Sequence, residues 1–269
     1  MTPRRPARLL CSDTLIDTLI SAVTLVLLPA PTLAGPRYAW SPTAPSGTLE
    51  GRIAPPAGFT RAAAEPGSWS EWLRNIPMKP AGAPVLTYTG APKWRQDVHE
   101  AVIDIDVGKR DLQQCADAIM RLRAEWLYAS GRAREIGFNY TDGKRHAYKG
   151  SGSNDYASFR KYMDLVFSYA GTYSLDHELK AASVEEIKVG DVFIKGGFPG
   201  HAVLVADLAV DPNGEKRFLL VQSYMPAQEM HVLKNPNSTD GSPWYATNFG
   251  ELLVTPEWPF ARNQLKRWP

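Results

Sequence analysis

Apolar positions recur at helical spacing through Leu112, Cys115, Ile119, Leu122 and Trp126, with polar side chains in the intervals. This period predicts an amphipathic helix over DLQQCADAIMRLRAEWLYAS. Asp111 is its expected N-cap, Gln114 the capping-box partner three residues on, and Cys115 its fourth residue, on the buried face. A second amphipathic helix is predicted over DYASFRKYMDLVFSYAG, ending at Gly171, after a polar loop from Gly143 to Asn154. A short one lies within GSWSEWLRNIP, capped by Ser68 or Ser70 and stopped by Pro77.

Elsewhere the period changes to two. HEAVIDIDVG, His99 to Gly108, alternates as a strand, with Val102, Asp104 and Asp106 on one face and Ile103, Ile105 and Val107 on the other. EIGFNYT predicts a further strand, and DVFIKGG, HAVLVADLAV and KRFLLVQSYM predict three more in the C-terminal half. Gly196 to Gly200 forms the first connection in that half, and Asp211 to Gly214 (DPNG) the second. Helices first and a run of strands later argue for an α+β fold rather than alternating βαβ units. Aromatic residues in SPWY and TPEWPF are expected on exposed loops.

Charge narrows the function classes. A net charge of +2 without a long block of like charges gives no electrostatic footprint for nucleic acid. Residues 1–34 read as a signal peptide: Arg4, Arg5 and Arg8 precede the apolar run from Thr18 to Ala30, and small residues offer cleavage after Ala34. The alternative is an uncleaved membrane anchor. Cleavage implies an exported protein, periplasmic or extracellular, without stable membrane insertion. Residues 35–66, rich in Pro, Ala and Gly, form an N-terminal extension, either a tether or a segment lying across the domain. Residues 67–269 are left as a single α+β domain.

Of the two cysteines, Cys11 and Cys115, export leaves only Cys115. An unpaired thiol in an oxidising compartment is either buried beyond reach or kept for its reactivity. Near the positive end of a helix dipole a thiolate is favoured, which predicts a lowered pKa. His201 opens a strand after the glycine-rich turn, as a candidate base or as a strand-edge residue bonded to a carbonyl. With Asp211 to Gly214 as hairpin tip, Val203 faces Gln222, which then shares a sheet face with His201; one residue of slip puts Ser223 there instead. A cysteine, a histidine and an orienting amide in this order are the components of nucleophilic acyl transfer, with Gln113 or Gln114 beside a backbone N–H to hold an oxyanion. Asp104 and Asp106, with His99 or Glu100, lack a second ligand cluster, so neither a metal nor another cofactor is expected. Ser223 and His231 lack the glycine-flanked elbow of a nucleophilic serine.

DLQQCADA, GDVFIKGGFPGHAVLV, QSYMPAQ and NPNSTDGSPWY together resemble an exported bacterial family of unknown function, from about Gly51 onward. The GDVF and GHAVLV segments also resemble the paired strands of NlpC-type peptidases and amidases of the papain-like superfamily. That resemblance implies a papain-like core of helices packed on an antiparallel sheet, with Cys115, His201 and Gln222 as the catalytic set. It further implies hydrolysis of amide bonds in the cell envelope, with peptidoglycan or another peptide as substrate. The QQCAD setting of Cys115 departs from the usual surroundings of that nucleophile. The competing expectation is a non-catalytic envelope-binding or assembly protein on the same fold.

Overall fold

The computed structural model describes residues 1–2, 38–41, 47–150 and 156–269. The chain divides into units Met1–Thr32 and Leu33–Pro269, and the second holds the helices and strands that follow. The signal-peptide reading, beyond Met1 and Thr2, lies outside the described residues, as does the end of the loop expected up to Asn154. No helix among the described residues is long and apolar enough to cross a membrane.

The helices are α1 (Leu49–Arg52), α2 (Trp69–Arg74), α3 (Cys115–Ala129), α4 (Tyr156–Tyr169) and α5 (Thr172–Glu178). The first strands are β1 (Thr60–Arg61), β2 (His99–Val102), β3 (Gly137–Asn139), β4 (Arg145–Ala147) and β5 (Lys180–Ala181). After α5 follow β6 (Val192–Lys195), β7 (His201–Val210), β8 (Lys216–Gln222), β9 (His231–Leu233) and β10 (Tyr245–Ala246). The chain ends with β11 (Leu252–Val254), β12 (Pro259–Ala261) and β13 (Leu265–Arg267). One large antiparallel sheet runs in the order β2-β9-β8-β7-β6-β13-β5, with β1 on β7 and β10 on β8. Helices and strands segregate along the chain, so the class is α+β, as the periodicities predict.

Both sheet faces are covered, which is why β7 reads as a near-continuous apolar run. Ala202, Leu204, Ala206, Leu219 and Val221 belong to the core shared with Ala116, Ile119 and Met120 of α3 and Trp69, Trp72 and Leu73 of α2. Val203, Val205, Phe218 and Leu220 belong to a second core with Tyr245, Leu253 and Phe260. Each such fully buried Val, Leu or Phe contributes roughly 1.5–3 kcal/mol relative to exposure.

The Gly-Asp pair that opens the β6 segment is explained by packing. A Cβ on Gly190, whose φ is +92°, would lie 2.3 Å from the Trp69 indole nitrogen, so only glycine permits that approach. Asp191 is buried and accepts from Arg267 Nε and Nη2 at 2.6 and 2.7 Å, tying the start of β6 to the final strand.

Several expectations change. The strand from His99 stops at Val102, because Ile103 leaves the ladder to bridge Met78, and Asp106 turns to the buried Arg121. Of the two forms expected for residues 35–66, the described residues 47–66 take the second, lying across the domain. Leu49 and Ile53 join the core and Thr60–Arg61 pair with β7, so the domain begins upstream of Gly67. The SPWY and TPEWPF aromatics are not surface decoration: Trp244, Tyr245 and Phe260 are buried, and the Trp244 indole donates to the Ala54 carbonyl at 2.8 Å.

Candidate active site

Helix α3 begins at Cys115, four residues later than Asp111, the cap that spacing suggests. Gln114 is the N-cap, and its backbone N–H donates to the Asp117 carboxylate at 3.1 Å. Asp111 instead ties two loops together, accepting from Gln114 Nε2 at 3.0 Å and from the Ala227 N–H at 2.6 Å. Cys115 is therefore the first helical residue. Its own N–H and that of Ala116 belong to the first turn, where N–H groups lack intrahelical partners.

A buried cation fixes this entry. Arg121, nearly two turns further along α3, donates to the Gln113 side-chain oxygen at 2.6 Å and to Asp106 Oδ1 at 2.8 Å, and also to the Asp106 carbonyl. Glu125 holds Arg121 from the other side at 3.3 Å and accepts from the Tyr156 hydroxyl at 2.7 Å. The Gln113 oxygen is thus committed to Arg121, and Gln113 does not line the cleft beside Cys115. The Gln113 amide nitrogen, the atom an oxyanion would need, is buried without a partner among the described residues and away from the cleft wall, whereas Gln114 lines the cleft.

The cleft measures about 330 Å³ and is bordered by Gln114, Cys115, Asp117, Thr172, Phe198 and Met225, among others. Phe198 and Met225 are exposed on its rim. Gly200 closes one side at close quarters: an added Cβ would lie 2.3 Å from Thr172 Oγ1 and 2.6 Å from the carbonyl oxygens of Gly197 and Lys195. Glycine before His201 is thus a steric requirement of the turn.

His201 is buried at the start of β7, and its Nε2 lies 2.9 Å from Gln222 Oε1. The Gln222 amide is oriented from behind, because its Nε2 donates to Glu257 Oε2 at 2.7 Å. The same nitrogen faces His231 Nε2 at 3.2 Å, and His231 Nδ1 donates to the Glu229 carbonyl at 2.8 Å. A carboxylate can only accept, so Oε1 is the atom turned to His201, whose Nε2 carries the proton. His201 Nδ1 is left as the basic nitrogen. Lys93, itself buried, closes the chain by donating to Glu257 at 2.7 and 3.0 Å.

The expected face-sharing of His201 and Gln222 is present for a reason the sequence does not display. Near the hairpin tip Val210 faces Lys216 and Ala209 faces Arg217, a register that would carry Ser223 rather than Gln222 to the His201 face. A bulge between Val205 and Asp207 shifts the pairing, so that Val205 faces Leu220 and Leu204 faces Val221. Gln222 then falls on the His201 face. Ser223 is spent on backbone, donating to the Gln228 carbonyl at 2.7 Å.

No hydrogen bond joins the side chains of Cys115 and His201 among the described residues; the His201 ring lies 5.9 Å from that of Phe260, on the face of Val203 and Val205, whereas α3 packs on the face of Ala202 and Leu204. The N–H of Ala202, next after His201, favours the Cys115 thiolate, as do those of Ala116 and Cys115 itself. Tyr224 stands by both, its ring 4.8 Å from the His201 ring and its hydroxyl sensitive to a charge on Cys115. The expected low thiol pKa is not found. Burial, followed by the Asp117 carboxylate, pushes the thiol up to about 12, outweighing the helix end and the backbone donors. Burial likewise raises the Asp117 carboxyl well above its ordinary range and lowers His201 to about 4. At neutral pH the site holds a neutral thiol and a neutral imidazole.

Glu257, Lys93, His231 and Asp117 were not assigned to this site from sequence. Glu257 lies in an aromatic segment and Lys93 in a polar loop, and neither has spacing that links it to Gln222. Asp104 and Asp106 do not converge with His99, and no cluster suited to a metal ion occurs among the described residues.

A family model described as a domain of unknown function (4846) matches residues 49–152 and 146–267. The chain belongs to that family. The match spans the cysteine helix, the glycine-rich turn and the strands of His201 and Gln222. No curated protein and no solved structure matches the chain. None of these comparisons supports the NlpC-type resemblance.

Proposed function

We propose that this protein is an exported cysteine hydrolase that cleaves amide bonds of the cell envelope, peptidoglycan stem peptides among them, on a papain-like core. The observation that carries the reading is the 2.9 Å contact between His201 and Gln222 at the strand end next to Cys115, the first residue of α3 and part of the cleft wall. The Lys93–Glu257–Gln222 chain holds one imidazole tautomer, which leaves Nδ1 to take a proton. In this reading a substrate carbonyl enters the cleft beside Cys115, and the first-turn N–H groups of Cys115 and Ala116 receive its developing negative charge. His201 accepts the thiol proton as the sulfur attacks and returns it to the leaving amine. Water then releases the acid from the thioester.

Because thiol and imidazole are both neutral at rest, proton transfer accompanies attack rather than preceding it as a standing ion pair. The same neutrality favours a second reading, a non-catalytic envelope-binding protein that keeps the architecture.

Incubation with purified peptidoglycan and with peptide amides, followed by mass spectrometry of the products, separates the two. The hydrolase reading expects new carboxyl ends with wild type and none with Cys115→Ala or His201→Ala. It also expects a mass increase on Cys115 from a trapped acyl group. Binding to the same material without cleavage, unchanged in Cys115→Ala, supports the second reading and ends the first.

A further inference from the structure

A second cavity, about 290 Å³, lies away from Cys115 and is bordered by Arg123, Phe138, Arg145, Glu178, Trp268 and Glu135, among others. Arg123 projects from α3, and three indoles surround its guanidinium: Trp126 at 4.6 Å, Trp268 at 5.6 Å and Trp69 at 5.8 Å. A cation–π contact uses the charge of a guanidinium without consuming its N–H donors. Among the described residues Arg123 makes no hydrogen bond and no ion pair. The other charged groups at the cavity are matched already. Arg145 pairs with Glu178 at 2.7 Å, and Glu135 pairs with Arg132 at 2.5 Å. Pro269 borders the cavity without pairing with Arg123. Burial, followed by the nearby charge of Arg132, lowers Arg123 to about 10, and Glu135 offsets only part of this.

We infer that this cavity is a binding site for a small ligand bearing a single carboxylate, which the N–H edge of Arg123 receives while the rest of the ligand packs on Trp268 and Phe138. A planar carboxylate matches the guanidinium fork, two N–H groups to two oxygens. One unmatched positive charge suits a monoanion. A phosphate dianion would bring a second negative charge beside Glu135 and Glu178. The site is independent of the thiol chemistry and of the cleft at Cys115.

Tryptophan fluorescence supplies the test, since three indoles ring the cation. Titration with N-acetyl-leucine is expected to give a saturable change that N-acetyl-leucine amide does not, with inorganic phosphate binding more weakly. Arg123→Met should weaken binding by about tenfold or more, because a charge-assisted hydrogen-bonded pair is lost. Should that variant fail to fold, the wild-type Arg123 Nε–H resonance, assigned through Arg123→Lys, is expected to shift with the carboxylate and not with the amide. No saturable response to the carboxylate, an equal response to the amide, tighter binding of phosphate, or full affinity in folded Arg123→Met each overturns the assignment.

Discussion

His201 Nε2 and Gln222 Oε1 sit 2.9 Å apart on one sheet face because a single residue, Ala206, is left over in the ladder between β7 and β8. The extra residue converts the register set at the hairpin tip into the one that delivers an amide, rather than the Ser223 hydroxyl, to the imidazole. A bulge next to a candidate catalytic side chain is a recurrent way of re-aiming it.

Gln222 carries more than a strand-end polar residue does, since it is buried and bonded to His201, His231 and Glu257. Gln222→Ala leaves those groups short of a partner in a site that water does not fill freely. We expect a stability loss of about 1–3 kcal/mol in urea denaturation, with turnover lower by about 100-fold or more as the His201 tautomer is freed. A variant as stable and as active as wild type would remove Gln222 from the site.

Lys93 and Glu257 form an ion pair with side-chain exposures of 1% and 5%, so each depends on the other for solvation. Glu257→Gln strands a buried ammonium and should cost about 3–5 kcal/mol. Lys93→Met combined with Glu257→Gln removes both charges while keeping an acceptor for Gln222, and should recover most of that loss. A double-mutant cycle on denaturation free energies checks this. Additive losses would mean that the two charges act independently.

How much of this was legible in the sequence follows from the range of the interactions. Period and turn chemistry are local, so α2, α4 and the hairpin around Asp211 to Gly214 are readable, whereas the β7–β8 pairing near Gln222 depends on a bulge that no local signal marks. The start of α3 is not readable either, because Asp111 is by type a better cap than Gln114, which holds the position. The choice between them falls to the buried Arg121, which binds the Asp106 and Gln113 segment preceding the helix. The thiol pKa escapes a sequence reading for a related reason. The dipole argument counts helix position, whereas desolvation depends on residues distant in sequence. Glu257 and Lys93 reach Gln222 from far along the chain, and no single-sequence pattern encodes such a contact.

Stability should fall in acid through the buried histidines. His231 is fully buried with both ring nitrogens engaged, and burial lowers its pKa to about 3; His201 is lowered to about 4. In the unfolded chain both titrate at about 6.5. Below that pH the unfolded state binds protons that the folded state refuses, so stability present above about pH 6.5 is lost progressively down to pH 3–4. Asp117 and Glu125, whose pKa values are raised by burial, pull the other way, so the diagnostic is a difference between proteins. His231→Gln should lose some stability at pH 8, yet show a shallower acid decline than wild type in thermal melts from pH 8 to pH 4. Parallel curves would mean that His231 does not titrate as a buried neutral group.

The thiol offers the last and most discriminating measurement. With its pKa pushed up to about 12 by burial and by Asp117, Cys115 should alkylate slowly with iodoacetamide at neutral pH in the native protein. The rate should rise about tenfold per pH unit from pH 7 to 10, because only the thiolate reacts and its fraction grows by that factor well below the pKa. Asp117→Asn removes the neighbouring carboxylate and should speed alkylation at fixed pH while leaving the cleft in place. His201→Ala should change the rate little in the absence of substrate, since no thiolate–imidazolium pair exists to be broken. A rate that levels off near pH 6–7 and collapses in His201→Ala would show a preformed ion pair. Proton transfer would then precede attack, and the neutral resting site described above would be wrong.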